Sequence, residues 1–220
     1  ILVNVYEFTD SKMAEDLIRA RERGVNVTVL IEGGPVGGIS AEGRAVAGAL
    51  NRSGIPVLSM TTTDAAHAKY RFDHAKYLVV DGDTVLLGSE NFKPDGYPEP
   101  GLRGNRGWGV RLEHPGLAGY FVEVFLHDVA GGDIVPMEGT AAEPGTSWSS
   151  SYRVEFASCR ADGARVTPVI SPDTSFLIHG LIEGAEESIA IEQAYITNET
   201  GTVLNPYLAA AINASRRGVS

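Results

Sequence analysis

The residues best equipped for chemistry lie in one stretch, His74-Ala-Lys76-Tyr-Leu-Val-Val-Asp81-Gly-Asp-Thr-Val-Leu-Leu-Gly88-Ser89-Glu90-Asn91. Residues two apart on a strand share a face, so His74 and Lys76 project together and Leu78 and Val80 continue that face toward the core. The Asp-Gly pair at Asp81-Gly82 between two apolar runs is a hairpin signal. A three-residue turn over Asp81 to Asp83 pairs Val80 with Thr84, Lys76 with Gly88 and His74 with Glu90; a two-residue turn moves the partner of His74 to Asn91. Either register returns Gly88, Ser89, Glu90 and Asn91 to the side of His74 and Lys76. An imidazole, an ammonium, a hydroxyl and an amide donor, beside a glycine that lets a ligand approach the backbone, suit an anion with several oxygens. Phosphate is the natural candidate. A metal centre fits poorly, because His74 has no second histidine or carboxylate at helical ligand spacing and Lys76 repels a cation. The competing reading is a surface hairpin with an incidental histidine.

The surrounding elements must hold these groups in place. Residues 12–23 carry Met13, Leu17 and Ile18 at helical spacing, and Gly24 ends that helix. Residues 25–31 read as a strand, 33–38 as a glycine-rich loop, 41–51 as a helix stopped by Ser53-Gly54, and 55–60 as a strand. Strands 76–80, 84–87 and 108–112 follow, then a helix over about 117–129. This alternation predicts a layered α/β fold with a mixed, mostly parallel sheet. Residues 130–151 turn to Gly, Ala, Ser, Thr, Pro and Glu with little periodicity, as a linker or surface excursion does. Beyond it, 169–170 and 188–194 read as strands, and 176–187 and 204–217 as helices.

Composition narrows the function. The 220 residues are 43% apolar and 21% charged, enough for a real core. Acidic residues outnumber basic ones 28 to 18 for a formal charge of −10, and the lysines are Lys12, Lys69, Lys76 and Lys93, so no positive field gathers a polyanion from a distance. Cys159 stands alone, which excludes a disulfide framework, a thiolate zinc site and a two-cysteine redox motif. No run approaches the roughly 20 apolar residues of a membrane span. The first residues form a strand without a turn ahead of it and the last stop where another strand is due, so the chain reads as a fragment of a longer protein. It also reads as repetitive: Ala20-Arg-Glu-Arg-Gly-Val25 matches Ala214-Ser-Arg-Arg-Gly-Val219, and Ile1-Leu-Val matches Ile189-Ala-Ile.

The pattern His-x-Lys-x4-Asp-x6-Gly-Ser-x-Asn is matched at all six fixed positions. Average composition produces this in on the order of one chain in 10^5 or fewer. It resembles the signature of the phospholipase D superfamily. Asn105-Arg106-Gly107-Trp108-Gly109-Val110, followed by Glu113-His114-Pro115 and a helix with Tyr120-Phe121, resembles the family's strand and helix after the motif. Ser171-Pro172-Asp173 and Glu192-Gln193-Ala194-Tyr195-Ile196 resemble the opening of its second repeat. The resemblance implies two α/β lobes that share one active site. On that basis 1–130 is a first repeat lacking its opening strand and helix, 131–165 the linker, and 166–220 the start of a second repeat.

The implied reaction has one histidine attack the phosphorus of a phosphodiester, a second histidine from the other lobe protonate the leaving alcohol, and water or another alcohol release the phosphoryl group. Carried over, His74 is the nucleophile, Lys76 and Asn91 bind nonbridging oxygens, Ser89 assists and Asp81 braces the hairpin. No cofactor or metal is implied. The family commonly has a glutamate directly after the Asn-Arg pair, where this chain has Gly107; Glu90, opposite His74 in one register, is the expected substitute for orienting the imidazole. The partner motif is expected beyond Ser220, so this chain holds one catalytic half, completed by a second lobe or a homodimer mate.

The other histidines, His67, His114, His127 and His179, lack partners at fixed spacing and read as structural or solvent-facing. Gly33 to Gly38 fits neither dinucleotide nor Walker spacing and reads as a loop at the rim of the site. Tyr6, Glu7, Glu192 and Tyr195 fall at strand ends of the two repeats, where they either line the interface between the lobes or pack in the core, the simpler reading being core packing. The substrate expected is a phospholipid, with nucleic acid disfavoured by the charge and a noncatalytic phosphate-binding relative as the third reading. The acidic, lysine-poor composition favours an exported or surface-associated enzyme over a cytoplasmic one.

Overall fold

The computed structural model describes residues 1–145, 150–196 and 204–220, so 146–149 of the expected linker lie outside it. The described chain divides into two compact units, Ile1–Ser158 and Cys159–Ser220. The first opens with β1 (Leu2–Val5), α1 (Ser11–Glu22), β2 (Thr28–Glu32), α2 (Ala41–Arg52) and β3 (Val57–Met60). Asp10 caps α1 by accepting the Met13 N–H at 2.9 Å, and Ser40 caps α2 by accepting that of Gly43 at 3.1 Å. Gly24 (φ 91°) and Gly54 (φ 75°) take the left-handed conformation just past each helix, which returns the chain to the sheet.

β4 (Lys76–Val80), β5 (Thr84–Gly88), β6 (Gly109–Glu113), α3 (Pro115–Val129) and β7 (Ile134–Pro136) complete the unit. Its strands form a seven-stranded sheet in the order β6-β5-β4-β1-β2-β3-β7. The sheet is mixed, as expected, but parallel pairing is confined to β1–β2 and β2–β3, so "mostly parallel" does not hold. Only those two pairs are joined by helical crossovers; the other four pairings are antiparallel, with a tight turn at β4–β5, edge strands added at β6 and β7, and β1 and β4 meeting in the middle of the sheet.

Val3, Val5, Val29, Ile31 and Val57 share one face and pack with Ala14 and Leu17 of α1 and Val46 and Leu50 of α2. Leu30 and Met60 point to the opposite face and meet Phe125 of α3, where Tyr77 and Phe121 also stack with centroids 5.2 Å apart. The result is an α/β/α sandwich, in which each fully buried aliphatic side chain contributes roughly 1.5–3 kcal/mol. Strand β7 falls inside the stretch expected to be linker. Three residues are too short to show a period, and Pro136 is tolerated because β7 is an edge. The following Met137 is buried in the core and its carbonyl accepts from Asn51 Nδ2 at 2.8 Å.

The second unit contains α4 (Phe176–Glu183) and α5 (Pro206–Arg216). Helix α4 stops at Gly184, earlier than the periodicity predicts. The strands expected at 169–170 and 188–194 do not form among the described residues, because a strand needs a ladder: Ile170 turns back on Thr174, whose N–H donates to its carbonyl at 2.7 Å, and near 188–194 Ile189 N–H donates to Ser220 O at 2.9 Å and Ser220 N–H to Glu187 O at 3.1 Å. The end of α5 closes like the end of α1. Val219 N–H donates to Ala214 O at 3.2 Å beside Gly218 (φ 97°), as Val25 N–H donates to Ala20 O at 3.1 Å beside Gly24. No helix among the described residues is long and apolar enough to cross a membrane.

Candidate active site

The site lies where the sheet changes direction. Strand β1 runs between β2 and β4, and crevices for ligands form outside the carboxyl ends of strands at such a switch. Val5 pairs with Lys76, and one step further Tyr6 N–H donates to Ala75 O at 3.0 Å. Past β1, Phe92 N–H donates to Glu7 O at 3.0 Å and Thr9 N–H to Phe92 O at 2.8 Å, which brings residues 89–92 back to the end of β1. The hairpin uses the three-residue turn: Val80 pairs with Thr84 and Tyr77 with Leu87. Asp81 (φ 51°) and Gly82 (φ 69°) supply the positive φ values, and Asp83 N–H closes on Val80 O at 3.2 Å.

His74 and Lys76 flank a single aromatic ring. The imidazole contacts the Tyr6 ring at 4.7 Å between centroids, and Lys76 Nζ lies 5.4 Å over the same ring. His74 is exposed, Lys76 is buried, and Lys76 Nζ donates to the His74 carbonyl at 3.0 Å. Partial burial, with the Lys76 charge second, lowers the His74 pKa against an opposing pull from Glu7. The shift favours the neutral imidazole over the imidazolium. Burial also pushes Lys76 down to about 8, opposed by Asp73, Glu7 and Glu90.

Asn91 joins this group, its Nδ2 donating to Glu7 Oε2 at 2.9 Å, while Lys93 Nζ approaches the same oxygen at 3.8 Å. Ser89 Oγ accepts the Trp108 N–H at 2.9 Å, which leaves its O–H proton free to donate. Asp81 sits in the turn at the far end of β4, roughly 20–25 Å of extended chain from His74, the place from which it was expected to brace the hairpin. The role expected of Glu90 needs correction. Glu90 does not hydrogen-bond His74; Asn105 Nδ2 donates to its Oε2 at 3.3 Å, and its charge acts on Lys76. The carboxylate whose charge acts on His74 is Glu7.

Glu32 and Asp73 are the residues that the sequence reading missed, and Tyr6 and Glu7, for which core packing was the simpler reading, join them at the site. Their common signal is position, since Tyr6 and Glu7 follow β1 and Glu32 ends β2, both at the carboxyl edge. Glu32 is buried and ties two loops: Oε1 accepts the Gly34 N–H at 2.7 Å and Oε2 the Asp73 N–H at 2.6 Å, directly ahead of His74. Tyr6 OH accepts the Val36 N–H at 2.8 Å, which pins the glycine-rich loop to the site. A small cavity of about 20 Å³ lies beside this group, lined by Tyr6, Glu7, Ile31, Glu32, Pro35 and Ser40 among others but by neither His74 nor Lys76.

Asp73 is buried with Oδ2 unpartnered, and burial, aided by the Asp128 and Glu32 charges, pushes its carboxyl up to about 6. The Ala75 N–H, 3.3 Å from Oδ1, and the nearby Asn4 amide pull the other way, although Asn4 does not reach hydrogen-bond geometry. A carboxyl raised in the folded state retains a proton that the unfolded chain has lost, so its charge costs stability progressively as pH rises from about 4 to 6. Asp73→Asn is expected to stabilise the fold by about 3 kcal/mol at pH 7.5 and by only about 0.5 kcal/mol at pH 4. Urea unfolding at both pH values checks this; an equal difference at each would show that Asp73 is charged in the fold throughout.

The remaining histidines stand in structural or exposed settings. His114 caps α3 through Nδ1, which accepts the Leu117 N–H at 3.2 Å. His127 pairs with Asp128 at 3.6 Å and His179 with Glu183 at 3.4 Å, and His67 is exposed.

A family model described as "Cardiolipin synthase, PLD-like domain" matches residues 1–129. No curated protein sequence matches the chain. Among solved structures, Nuc from Salmonella typhimurium, a phospholipase D family member, superposes with a TM-score of 0.51 at 23% identity over 62% of this chain and 80% of that one, a likeness of fold. NucT from Helicobacter pylori aligns at 13% identity over 62% of this chain and 80% of its own, with a TM-score of 0.47. The phosphatidylserine synthase of Haemophilus influenzae Rd KW20 aligns at 14% over 63% and 34%, with a TM-score of 0.45.

Proposed function

The chain belongs to the PLD-like domain family of cardiolipin synthase, within the phospholipase D superfamily, and on that premise we propose that it hydrolyses or transfers the phosphodiester of a phospholipid through a phosphohistidine at His74. An imidazole nitrogen of His74 attacks phosphorus, forming a P–N bond as the P–O bond to the leaving alcohol breaks. The leaving oxygen takes its proton from a second histidine, contributed by a second lobe or a homodimer mate. Water, or an acceptor alcohol, gives a proton back to that histidine and attacks phosphorus, and the P–N bond breaks to free His74. Lys76 and Asn91 hold the nonbridging oxygens, and the Ser89 hydroxyl assists.

The observation that carries this reading is the state of His74. It is exposed, neither ring nitrogen has a hydrogen-bond partner among the described residues, and it shares the Tyr6 ring with the Lys76 ammonium, while Asn91 bonds the Glu7 carboxylate whose charge acts on both His74 and Lys76. Residues 1–130 act as one lobe and 166–220 as the opening of a second. The recurring closure supports this: Ile1 N donates to Asn26 O at 2.6 Å, as Ile189 N–H donates to Ser220 O at the matching position.

Lipid is favoured over nucleic acid because a net charge of −10 offers little counterion release on a polyanion. The test is to present the whole protein with headgroup-labelled phosphatidylglycerol vesicles, with and without added glycerol, and separately with single-stranded DNA. Headgroup release or exchange is the expected result. DNA cleavage without lipid turnover overturns the substrate, and inactivity on both overturns the enzyme.

A further inference from the structure

Glu90 sits in a seat lined by glycine. A Cβ at Gly107 would run into Glu90 Cγ, with Oε1 2.7 Å and Cδ 2.9 Å away. A Cβ at Gly96 would lie 3.1 Å from Glu90 Cβ and 3.5 Å from Oε2. Neither glycine has a positive φ, so these positions require the missing side chain and not backbone freedom. Asn105 Nδ2 holds Oε2 at 3.3 Å. The register continues from Tyr77–Leu87 to set Lys76 opposite Gly88, the end of β5, two residues before Glu90.

We infer that Glu90 is a positioning residue of the anion site: Gly107, Gly96 and Asn105 seat its carboxylate as the counter-charge to Lys76, and Gly107 makes the seat by having no side chain. This rests on the reading of Lys76 as a phosphate ligand. The charged groups facing Lys76 are Asp73, Glu7, Glu90 and, when protonated, His74. Asp73 is increasingly neutral as pH falls through 6, and Glu7 is engaged by Asn91 and Lys93. Removing Glu90 lets Lys76 release its proton at lower pH. On the alkaline side that leaves less ammonium to hold the anion.

Binding of inorganic phosphate to the whole protein, followed by calorimetry at pH 6.5 and 8.5, reads this directly. Glu90→Ala is expected to weaken binding about threefold at pH 8.5 and to leave it unchanged or tighter at pH 6.5, where the ammonium persists and one negative neighbour is gone. Glu90→Ala with Gly107→Asp is expected to restore the pH 8.5 value, because an aspartate's oxygens lie two bonds from its Cβ, close to the 2.7 Å that separates that point from Glu90 Oε1. Equal weakening at both pH values, no weakening at either, no phosphate binding by the unsubstituted protein, or a folded double variant no better than Glu90→Ala overturns the inference. Lipid turnover with any of these sinks the role of Glu90 alone. The expected phosphate pattern without turnover sinks the proposed reaction and leaves the seat standing.

Discussion

His74→Ala in the whole protein is expected to lower turnover at least ~1000-fold, with the unfolding midpoint unchanged. The size follows from chemistry. A nucleophile that forms the covalent intermediate has no substitute among its neighbours: Lys76, with a pKa of about 8, is an ammonium without a free lone pair at neutral pH, and the Tyr6 hydroxyl is turned to the glycine-rich loop, where it accepts from Val36. The neutral effect on stability follows from exposure, since the imidazole packs on the Tyr6 ring alone among the described aromatic contacts and makes no hydrogen bond to the fold. Acid-sensitive, base-stable label trapped from a phosphorus-labelled diester should sit on His74 and vanish in the variant. Label on another histidine reverses the roles of the two halves, and retention of a tenth of the activity removes His74 from the covalent step.

How much of this site was legible in the chain depends on the range of the interaction. The hairpin was readable because Asp81-Gly82 takes positive φ locally, and its three-residue register then delivers Gly88 to Asn91 to the right place. Gly24 and Gly54 marked the ends of α1 and α2 for the same local reason. Glu7 was not readable as a partner of Asn91, 84 residues away, because that contact exists only once β1 lies beside both β4 and Phe92. Glu90 was misdirected for a different reason. Strand period predicts a face, whereas the direction of the side chain is set by the space at Gly107 and Gly96 and by Asn105. Strand β7 was hidden because three edge residues ending in proline carry no alternation, and their pairing with β3 comes from a long return of the chain.

Lys76→Met should lower turnover roughly 100- to 1000-fold, the usual loss when one charged donor to a developing oxyanion is removed. The methionine keeps the apolar stem that lies buried against the sheet, so the loss isolates the ammonium. With the group pushed down to about 8, the active protonated form declines across the alkaline side, and kcat/KM of the unsubstituted protein should fall with a midpoint near 8. Lys76→Arg gives lower activity but stays charged above pH 12, so its alkaline limb should move up or disappear. The stability profile provides the control. A lysine whose folded pKa lies below its unfolded value of about 10.4 makes the fold less stable while charged, and stability recovers as pH rises from 8 to 10. Lys76→Met should lack that rise and be no less stable than the unsubstituted protein at pH 7. A variant that loses activity through unfolding would instead show a lower urea midpoint at pH 7, and an alkaline limb identical in the lysine and arginine proteins would assign the titration to a different group.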